Sequence, residues 1–336
     1  MSVTIKDIAK QAGVSIATVS RVLNHLGGYS SEVEQKILEI ANELGYRRNA
    51  NAMSLVSKST RTIGIIMPTV ATSYYGNIVS GIEDVAHQNG YSVILSHAGV
   101  SGNRLHNSLN VLSERRVDGV LIFSLPFDQE DIDRIKALGI PVMLISTEVE
   151  EGQMPYIKVD DYKASYTAVE YFIGLGHRNI AIVGASSTDP IAGLPRIRGY
   201  LDAMKNHSLE VQDDWICYGD FTFEAGQMGM RQLLQAQEQV TAIFCVSDEV
   251  ALGVNSICYE HHLAIPDDVS IIGYDNTVAR MGIPPITTIA QPFYEMGQLG
   301  CKSLIQSIQT SSNMESQLIP FKLIERASVK DNHLGR

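Results

Sequence analysis

Four side chains in the segment SIATVSRVL carry groups that can contact the edges of nucleic-acid bases. If the segment is a helix, its valines and leucine share one face and Ile16, Ala17, Ser20 and Arg21 remain outside. An arginine fork can hold a guanine O6/N7 pair, worth ~1–3 kcal/mol, and apolar groups can touch a thymine methyl. The spacing therefore indicates a helix able to read the DNA major groove.

The segment before it, TIKDIAKQAG, contains what is needed to position such a helix. Thr4 followed by Asp7 is typical of a helix start, and Gly13 permits a tight turn before Ser15 caps the second helix. Ala9 is small where the two helices would cross. A helix, a three-residue turn and a second helix is the spacing of a DNA-binding helix-turn-helix. An ordinary helical hairpin is the alternative interpretation.

A third helix is predicted after Gly28, capped by Ser30 or Ser31 and ending near Gly45, with an apolar stripe from Val33 to Leu44. Three short helices supply a small core, so this module is expected to be marginal alone. Residues 46–61 lack an apolar stripe and contain four basic residues, which indicates a linker with latent helical propensity. Residues 1–61 carry eight Lys or Arg and five Asp or Glu, whereas the whole chain has a formal charge of −11. A basic head on an acidic body is typical of a polyanion-binding module fused to a separate body.

From Thr62 the pattern changes to short β-branched strands that alternate with amphipathic helical segments. The predicted strands are TIGIIM, YSVILS, DGVLIF, PVMLI, NIAIVG, TAIFCV and VSIIGY. Continuous apolar strands alternating with helices indicate parallel sheets covered on both faces. Their number favours an α/β body of two doubly wound parallel-sheet lobes behind the all-α helix-turn-helix head. Ligands of such sheets bind beyond the carboxyl ends of the strands, so the candidate site lies on the loops that follow them.

These elements predict a division into a head (1–46), a linker (47–61) and a body (62–336). The first lobe is expected at about 62–160 plus 290–318, and the second at about 161–289 plus 319–330. Asp160 and Asp161 are interpreted as loop residues at the crossing between lobes. His177 is interpreted as a structural hydrogen-bonding residue rather than a catalytic one.

The head segment, together with ELGYRRNANAMSL, GLGHRNIAIVG, RIRGY, VSDEVALG, VSIIGYDNT and PPITTIAQP, resembles the LacI/GalR family of bacterial transcription repressors over residues 2–330. The resemblance implies a body similar to type I periplasmic binding proteins, with a small effector between the lobes. It also implies an effector-controlled repressor that binds a palindromic operator in double-stranded DNA as a homodimer. The C-terminal segment SVKDNHLGR has no leucine heptad, which favours a dimer over a tetramer.

The resemblance assigns DNA contacts to the head and to the linker. The operator-facing set is Ser15, Ile16, Ala17, Thr18, Ser20 and Arg21, with Thr4 and Lys6 as further phosphate contacts. Ser15 and Thr18 hydroxyls would donate to phosphate, and the alternative for Arg21 is a phosphate contact or a surface ion pair. In the linker, Asn49, Ala52 and Leu55 match a segment that folds in the minor groove, with Leu55 as the wedge between base steps. The alternative for Leu55 is packing against the body.

The resemblance also assigns effector contacts to the body. They are Tyr74, Tyr75, Ser124, Ser146, Arg196, Phe221, Ser247 and Asp275. Simpler alternatives are core packing for the tyrosines, helix packing for Phe221, a turn cap for Asp275, and Arg198 as the inward arginine. Ser146 and Thr147 stand where sugar-responsive relatives place an acidic residue, and Glu148 could substitute for it. The effector is expected to be a sugar or a sugar derivative, with a purine-type or phosphoprotein-type co-repressor as the alternative.

Composition and missing motifs exclude several classes of protein. An apolar share of 45% without an 18-residue uncharged run argues against a disordered or membrane-spanning chain. The N-terminus has no secretory signal pattern, so a cytoplasmic, nucleoid-associated protein is expected. Cys217, Cys245, Cys258 and Cys301 are widely spaced, which predicts buried thiols and no metal site. No nucleotide-binding or hydrolase motif occurs, so neither an enzyme nor a cofactor is expected, and a two-lobed enzyme or a secreted binding protein is the competing class.

Overall fold

The computed structural model describes residues 3–24, 26–46, 59–69, 74–149 and 152–335. The chain divides into two compact units, residues 1–60 and residues 61–336. Each unit has its own hydrophobic core, and each is described by itself below. In the described part of the chain, no helix has the length and apolar character needed to span a bilayer.

The head contains the three predicted helices: α1 (Ile5–Ala12), α2 (Ile16–Leu23) and α3 (Ser31–Glu43). At the start of α1, the Thr4 amide and hydroxyl both donate to Asp7 Oδ2, at 2.9 and 2.7 Å. Gly13 has a φ of 72°, a left-handed conformation that glycine adopts without strain, and it ends α1 as predicted. Ser15 Oγ accepts a hydrogen bond from the Thr18 amide at 3.0 Å and caps α2.

The core of the head consists of buried side chains contributed by all three helices. They are Ile8, Ala9, Ala12, Val19, Val22, Leu23, Ile37, Ile40 and Ala41. Ala9, predicted to lie where α1 and α2 cross, is buried in this core. Because this core is small, the orientation of α2 depends on the packing of few side chains.

The body contains two six-stranded sheets among its described residues, as predicted for two doubly wound lobes. The first comprises β1 (Thr62–Met67), β2 (Ser92–His97), β3 (Gly119–Phe123), β4 (Val142–Ile145), β5 (Tyr156–Lys158) and β11 (Gln317–Leu318). The second comprises β6 (Ile180–Ala185), β7 (Ile216–Tyr218), β8 (Ala242–Cys245), β9 (Ser270–Asp275), β10 (Thr287–Ala290) and β12 (Lys322–Ile324). The first has the strand order β11-β5-β4-β3-β1-β2 and the second β12-β10-β9-β8-β6-β7. The pairing of β10 with β12 is antiparallel and the other described pairings are parallel.

Eight helices of the described body cover these sheets. They are α4 (Tyr75–Gln88), α5 (Leu105–Glu114), α6 (Gln129–Ala137), α7 (Asp161–Gly174), α8 (Gly193–Asn206), α9 (Phe223–Leu233), α10 (Asp248–Glu260) and α11 (Phe293–Thr310). In the first lobe, α4 and α11 pack on one face of the sheet and α5 and α6 on the other. The second lobe has one large core that includes residues from α7 to α10. All four cysteines are buried and form no disulfide, as predicted.

Helix pairs of the body meet backbone to backbone at glycine. An added Cβ atom would lie 2.1 Å from the Tyr294 carbonyl oxygen at Gly81, and 2.0 Å from that of Phe223 at Gly253. The reciprocal contacts are Gly297 with Ile78 and Gly226 with Val250, and Gly199 makes the same contact with Tyr162. The pairs α4–α11, α9–α10 and α7–α8 therefore have no room for a side chain at these points.

The chain crosses between the lobes three times: after β5, after β10 and after β11. Phe321, at the third crossing, packs against the cores of both lobes. At the first crossing the loop interpretation holds for Asp160, which lies between β5 and α7, and is wrong for Asp161, which is helical. Asp160 caps α7 by accepting a hydrogen bond from the Lys163 amide at 2.9 Å, and Asp161 is a buried residue of the first helical turn. The local signal for this arrangement is an aspartate pair directly before a helical pattern.

Candidate functional site

The outer face of α2 exposes the side chains predicted to read DNA. Ile16 is 43% exposed, and Ser15, Ala17 and Arg21 are also exposed. Thr18 and Ser20 are half-buried, because they flank the buried stripe of Val19, Val22 and Leu23. Apolar and guanidinium groups therefore protrude together from one short helix with no core of their own to join.

Several hydroxyls of the head are already engaged. Ser15 Oγ lies 2.8 Å from Thr18 Oγ1, and Ser20 Oγ accepts from the Asn24 amide group at 3.3 Å. The Thr4 hydroxyl donates to Asp7, whose pKa these hydrogen bonds lower. A phosphate contact from Thr4 would have to replace that bond, whereas the Lys6 ammonium is exposed. Asn49, Ala52 and Leu55 lie outside the described residues, so their roles stay predictions.

In the body, four of the predicted effector residues have left-handed backbone at strand ends. Ser124 follows β3 with a φ of 44°, Ser146 follows β4 with 54°, and Asp275 ends β9 with 103°. Phe221, just beyond β7, has a φ of 67°. Such conformations cost about 1–3 kcal/mol each in non-glycine residues and cluster at functional sites. Four such residues lie at the carboxyl edges of the two sheets, so these edges are the candidate site.

The aromatic wall of the first lobe is formed by Tyr74. Its ring stacks on that of Phe293, with centroids 5.0 Å apart, and its hydroxyl donates to Ser124 Oγ at 3.3 Å. Tyr75 is instead 5% exposed and stacks on Phe123 inside the lobe. Of the two adjacent tyrosines, Tyr74 faces the candidate site and Tyr75 packs in the core.

Arg196 is the central cation of the second lobe. Its Nε and Nη2 donate to Asp161 Oδ1 at 3.0 and 2.8 Å, and its Nη1 donates to the Val246 carbonyl at 2.6 Å. The guanidinium lies over the Tyr274 ring, 3.7 Å from its centroid, and Tyr274 also donates its hydroxyl to Asp161. Arg198 is exposed, so Arg196 is the inward arginine, as the resemblance implies.

Asp275 and Ser247 complete the second-lobe wall in different ways. Asp275 Oδ1 accepts a hydrogen bond from Gln291 at 2.7 Å, and burial raises the pKa of Asp275 to about 7. The Ser247 hydroxyl caps α10 through the Val250 amide and donates to the Phe221 carbonyl at 2.8 Å. The hydroxyl group of Ser247 therefore holds the Phe221 loop in place. A contact between Ser247 and a ligand would need the same hydroxyl group.

Ser146 and Glu148 lie on the loop after β4. Ser146 Oγ is buried and has no hydrogen-bond partner among the described residues, an unusual state for a hydroxyl. Glu148 turns toward β5, where Lys158 Nζ donates to its Oε1 at 2.7 Å. The carboxylate of Glu148, considered as a substitute for the missing acidic residue, is therefore already paired with the Lys158 ammonium.

The pKa of Asp275 leads to a pH-dependent prediction. An aspartate carboxyl group has an ordinary pKa of 3.8, whereas that of Asp275 is about 7 in the fold, so the folded state binds the proton more tightly. The tighter binding of this proton stabilises the folded state. The stabilisation is fully present below pH 4 and is lost as the pH rises through 7. Asp275→Asn, which keeps an acceptor for Gln291, is expected to raise the free energy of unfolding at pH 8 by about 1–3 kcal/mol. Urea unfolding at pH 5 and pH 8 measures this, and an equal difference at both values would contradict it.

Four residues of the site were missed at the sequence level. Asp161 and Lys158 form ion pairs at the first crossing, Gln291 holds Asp275, and Phe293 stacks on Tyr74. The sequence feature that could have identified these four residues is their position, because all of them lie where the chain passes between the lobes. His177 is structural, as predicted, with Nδ1 2.9 Å from Thr241 Oγ1.

Comparison with known proteins agrees with both units. Residues 4–49 match the family described as bacterial regulatory proteins, lacI family. Residues 60–327 match the family of periplasmic binding proteins and the sugar binding domain of the LacI family. The catabolite control protein A of Priestia megaterium is 35% identical, covering 98% of this chain and 100% of the relative. The HTH-type transcriptional repressor PurR of Histophilus somni is 34% identical, covering 97% of this chain and 99% of its own.

Among solved structures, the Lac repressor dimer bound to operator and the anti-inducer ONPF superposes with a TM-score of 0.90. It is 28% identical, and the match covers 98% of this chain and 100% of the repressor chain. The matched length thus includes both the helix-turn-helix head and the two-lobed body. The chain therefore belongs to the LacI family of DNA-binding transcriptional regulators, whose members are not enzymes.

Proposed function

We propose that this regulator is a repressor whose affinity for a palindromic operator is set by a small effector bound between the lobes. The observation that carries the proposal is the set of strained strand ends at the carboxyl edges of both sheets, with a buried arginine beside the Phe221 loop of the second lobe. Ser124 and Ser146 of one lobe and Phe221 and Asp275 of the other all have positive φ values. Arg196, which is paired with Asp161, has its guanidinium 5.7 Å from the centroid of the Phe221 ring.

A sugar or sugar derivative suits this set of groups best. A polyhydroxylated ring can stack on Tyr74 or Phe221 and can donate hydroxyls to Asp275. Two N–H groups of Arg196 remain beyond its three described hydrogen bonds, so the guanidinium can also hold ring oxygens. Related structures are described as a complex of CelR with cellobiose and a LacI-family regulator with bound ribose.

The effector acts through its preference for one arrangement of the lobes. It can change DNA affinity only as far as it binds one arrangement more tightly than the other. The proposed direction of regulation is induction: binding of the effector releases the repressor from DNA. The names of the PurR relatives make a purine-type co-repressor the second candidate, and the planar Tyr74–Phe293 stack is the feature that favours it.

The second lobe exposes an apolar surface suited to homodimerisation. Tyr259 is 85% exposed, Met281 72% and Ile283 87%, and Met228 on the neighbouring helix α9 is 63% exposed. The Asn255 amide group donates to the Ile283 carbonyl at 3.0 Å, which fixes the loop of Ile283 beside α10. Large apolar side chains exposed together in this way mark an interaction site. A second copy of this chain, with half-sites related by the same two-fold axis, is the proposed partner.

The DNA-binding part of the proposal is tested by Arg21→Ala. An operator is first selected from a random duplex library with the full-length protein, and binding is followed by fluorescence anisotropy. Loss of a guanine contact is expected to weaken binding by about 5–150-fold, equivalent to ~1–3 kcal/mol. Log affinity should also fall linearly with log salt concentration, because phosphate contacts release counterions.

Lys36→Ala is the matched control, since it removes an exposed cation from α3 rather than from the reading helix. Its affinity should stay near that of the wild type. Equal losses in Arg21→Ala and Lys36→Ala would mean that the head binds DNA by overall charge. Failure of the wild type to select any sequence would contradict the operator assignment.

A further inference from the structure

Lys158 places a buried cation at the seam between the lobes. It is the last residue of β5, and its side chain is 5% exposed. Its Nζ lies 2.7 Å from Glu148 Oε1 in the first lobe. It also lies 3.6 Å from Asp161 Oδ2 and 3.5 Å from the Ile191 carbonyl, both in the second lobe. The ammonium therefore contacts both lobes at the point where the chain first crosses.

The two carboxylates beside this ammonium are held differently. The Asp161 side chain is 7% exposed and accepts hydrogen bonds from Arg196 and Tyr274, so its charge is shared with a second cation. The Glu148 side chain is 39% exposed and lies on the loop after β4. Within the described part of the chain, the hydrogen bond that the Glu148 carboxylate accepts is the one from Lys158. Of the two, Glu148 is the carboxylate that can leave.

A buried ammonium that loses one anion needs another, because an unpaired charge in the interior is costly. The position now held by Glu148 Oε1 is therefore a ready site for an acid group brought by a ligand. It adjoins the effector site directly: the Ser146 amide donates to the Ile157 carbonyl beside Lys158, and the buried Ser146 hydroxyl has no partner among the described residues. An acid group at this point could also accept from that hydroxyl.

We propose that the Lys158–Glu148 pair is a specificity determinant of the cleft, at which an acid group of the effector replaces Glu148 on Lys158. The effector class is then an acidic small molecule, a phosphate or carboxylate ester or acid of the sugar type, rather than a neutral sugar. Glu148 acts as an internal substitute for that group until the effector binds. The inference rests on the proposed function, since it takes the effector to lie between the lobes.

The test uses the full-length chain and measures melting temperature at pH 7.5 and constant ionic strength. Inorganic phosphate and acetate are titrated separately against chloride, which distinguishes a phosphate site from a carboxylate site. Glu148→Gln removes the competing charge and keeps the side-chain shape. Its melting temperature is expected to respond at a concentration of one of the two anions at least tenfold lower than the wild type requires. The double variant Glu148→Gln/Lys158→Met, which removes cation and anion together, is expected to lose the response.

Glu130→Gln is the matched control, because it removes the same charge from an exposed pair with Arg134 on α6. It should titrate as the wild type does. The inference is overturned if Glu148→Gln responds like Glu130→Gln, in which case the Lys158 pair is a fixed bridge. A response that persists in the double variant also overturns it, because the anion then binds elsewhere.

Neutral sugars keep this outcome separate from the proposed function. Cellobiose and ribose are tested on the wild type and on Arg196→Lys by the same melting assay. Stabilisation by a neutral sugar that depends on Arg196, without any anion response in Glu148→Gln, supports the effector cleft and overturns only the acidic-effector inference. Anion binding that follows the expected order of variants supports both.

Discussion

Arg196→Ala is expected to lower the free energy of unfolding of the body by about 3–5 kcal/mol, because it removes the hydrogen-bonded cation of the buried Asp161 carboxylate and leaves it with the more distant Lys158 ammonium at 3.6 Å. Asp161 accepts two hydrogen bonds from Arg196, and both side chains are 7% exposed. Tyr274 would also lose the guanidinium stacked on its ring. Urea unfolding of the full chain measures the change. If the effector site lies here, the surviving folded protein should bind operator without responding to effector.

A double-mutant cycle with Asp161→Asn separates the pair from the rest of the site. Asp161→Asn/Arg196→Ala is expected to be more stable than the sum of the two single changes indicates, since no charge is then stranded. Arg196→Lys keeps the charge but loses the planar fork, so it should recover part of the stability. A loss below about 1 kcal/mol in Arg196→Ala would show that water reaches Asp161 and that the pair is not a buried one.

Gly253→Ala is expected to destabilise the second lobe by about 1–3 kcal/mol, the usual cost of overpacking. The new methyl group would lie 2.0 Å from the Phe223 carbonyl oxygen and 3.0 Å from the Gln227 nitrogen. Both are backbone atoms, so α9 and α10 must separate. Thermal and urea unfolding measure the loss, and the apolar surface carried by Met228 and Tyr259 should be disturbed with it.

Gly76→Ala supplies a control of the opposite sign. Gly76 also lies in a helix, but none of the described residues comes within 4 Å of its added Cβ atom. Alanine there should raise the free energy of unfolding by about 0.4–1 kcal/mol, because it reduces the freedom of the unfolded chain. If both substitutions changed stability in the same direction, the close approach of α9 and α10 would not be the cause.

Local signals in the sequence were sufficient for the head and for the longer strands. Gly13 and Ser15 predicted the turn and the second helix correctly because capping and left-handed turns depend on neighbouring residues. The seven predicted strands are all present in the structure as elements of four to six residues. The strands absent from that prediction are β5, β7, β10, β11 and β12, which span two to four residues and have too little pattern to detect.

Position along the chain was sufficient to predict the candidate-site residues that end a strand. Ser124, Ser146 and Asp275 follow long apolar strands, so their positions could be read along the chain. Asp161 could not be placed in the same way, because its partner Arg196 lies 35 residues further on and its partner Tyr274 lies 113 residues away. The role of Ser247 was likewise open, since its hydroxyl is directed to the Phe221 carbonyl by a loop 26 residues before it.

The glycine contacts between helices have a consequence for how the body can move. Domain movements of the shear type need side-chain layers that slide past one another in small steps. At Gly81, Gly226 and Gly253 the partner is a carbonyl oxygen, so no such layer exists at these points of α4–α11 and α9–α10. Each pair should therefore travel as one block, and the dihedral changes of any opening should be confined to the three short segments that join the lobes.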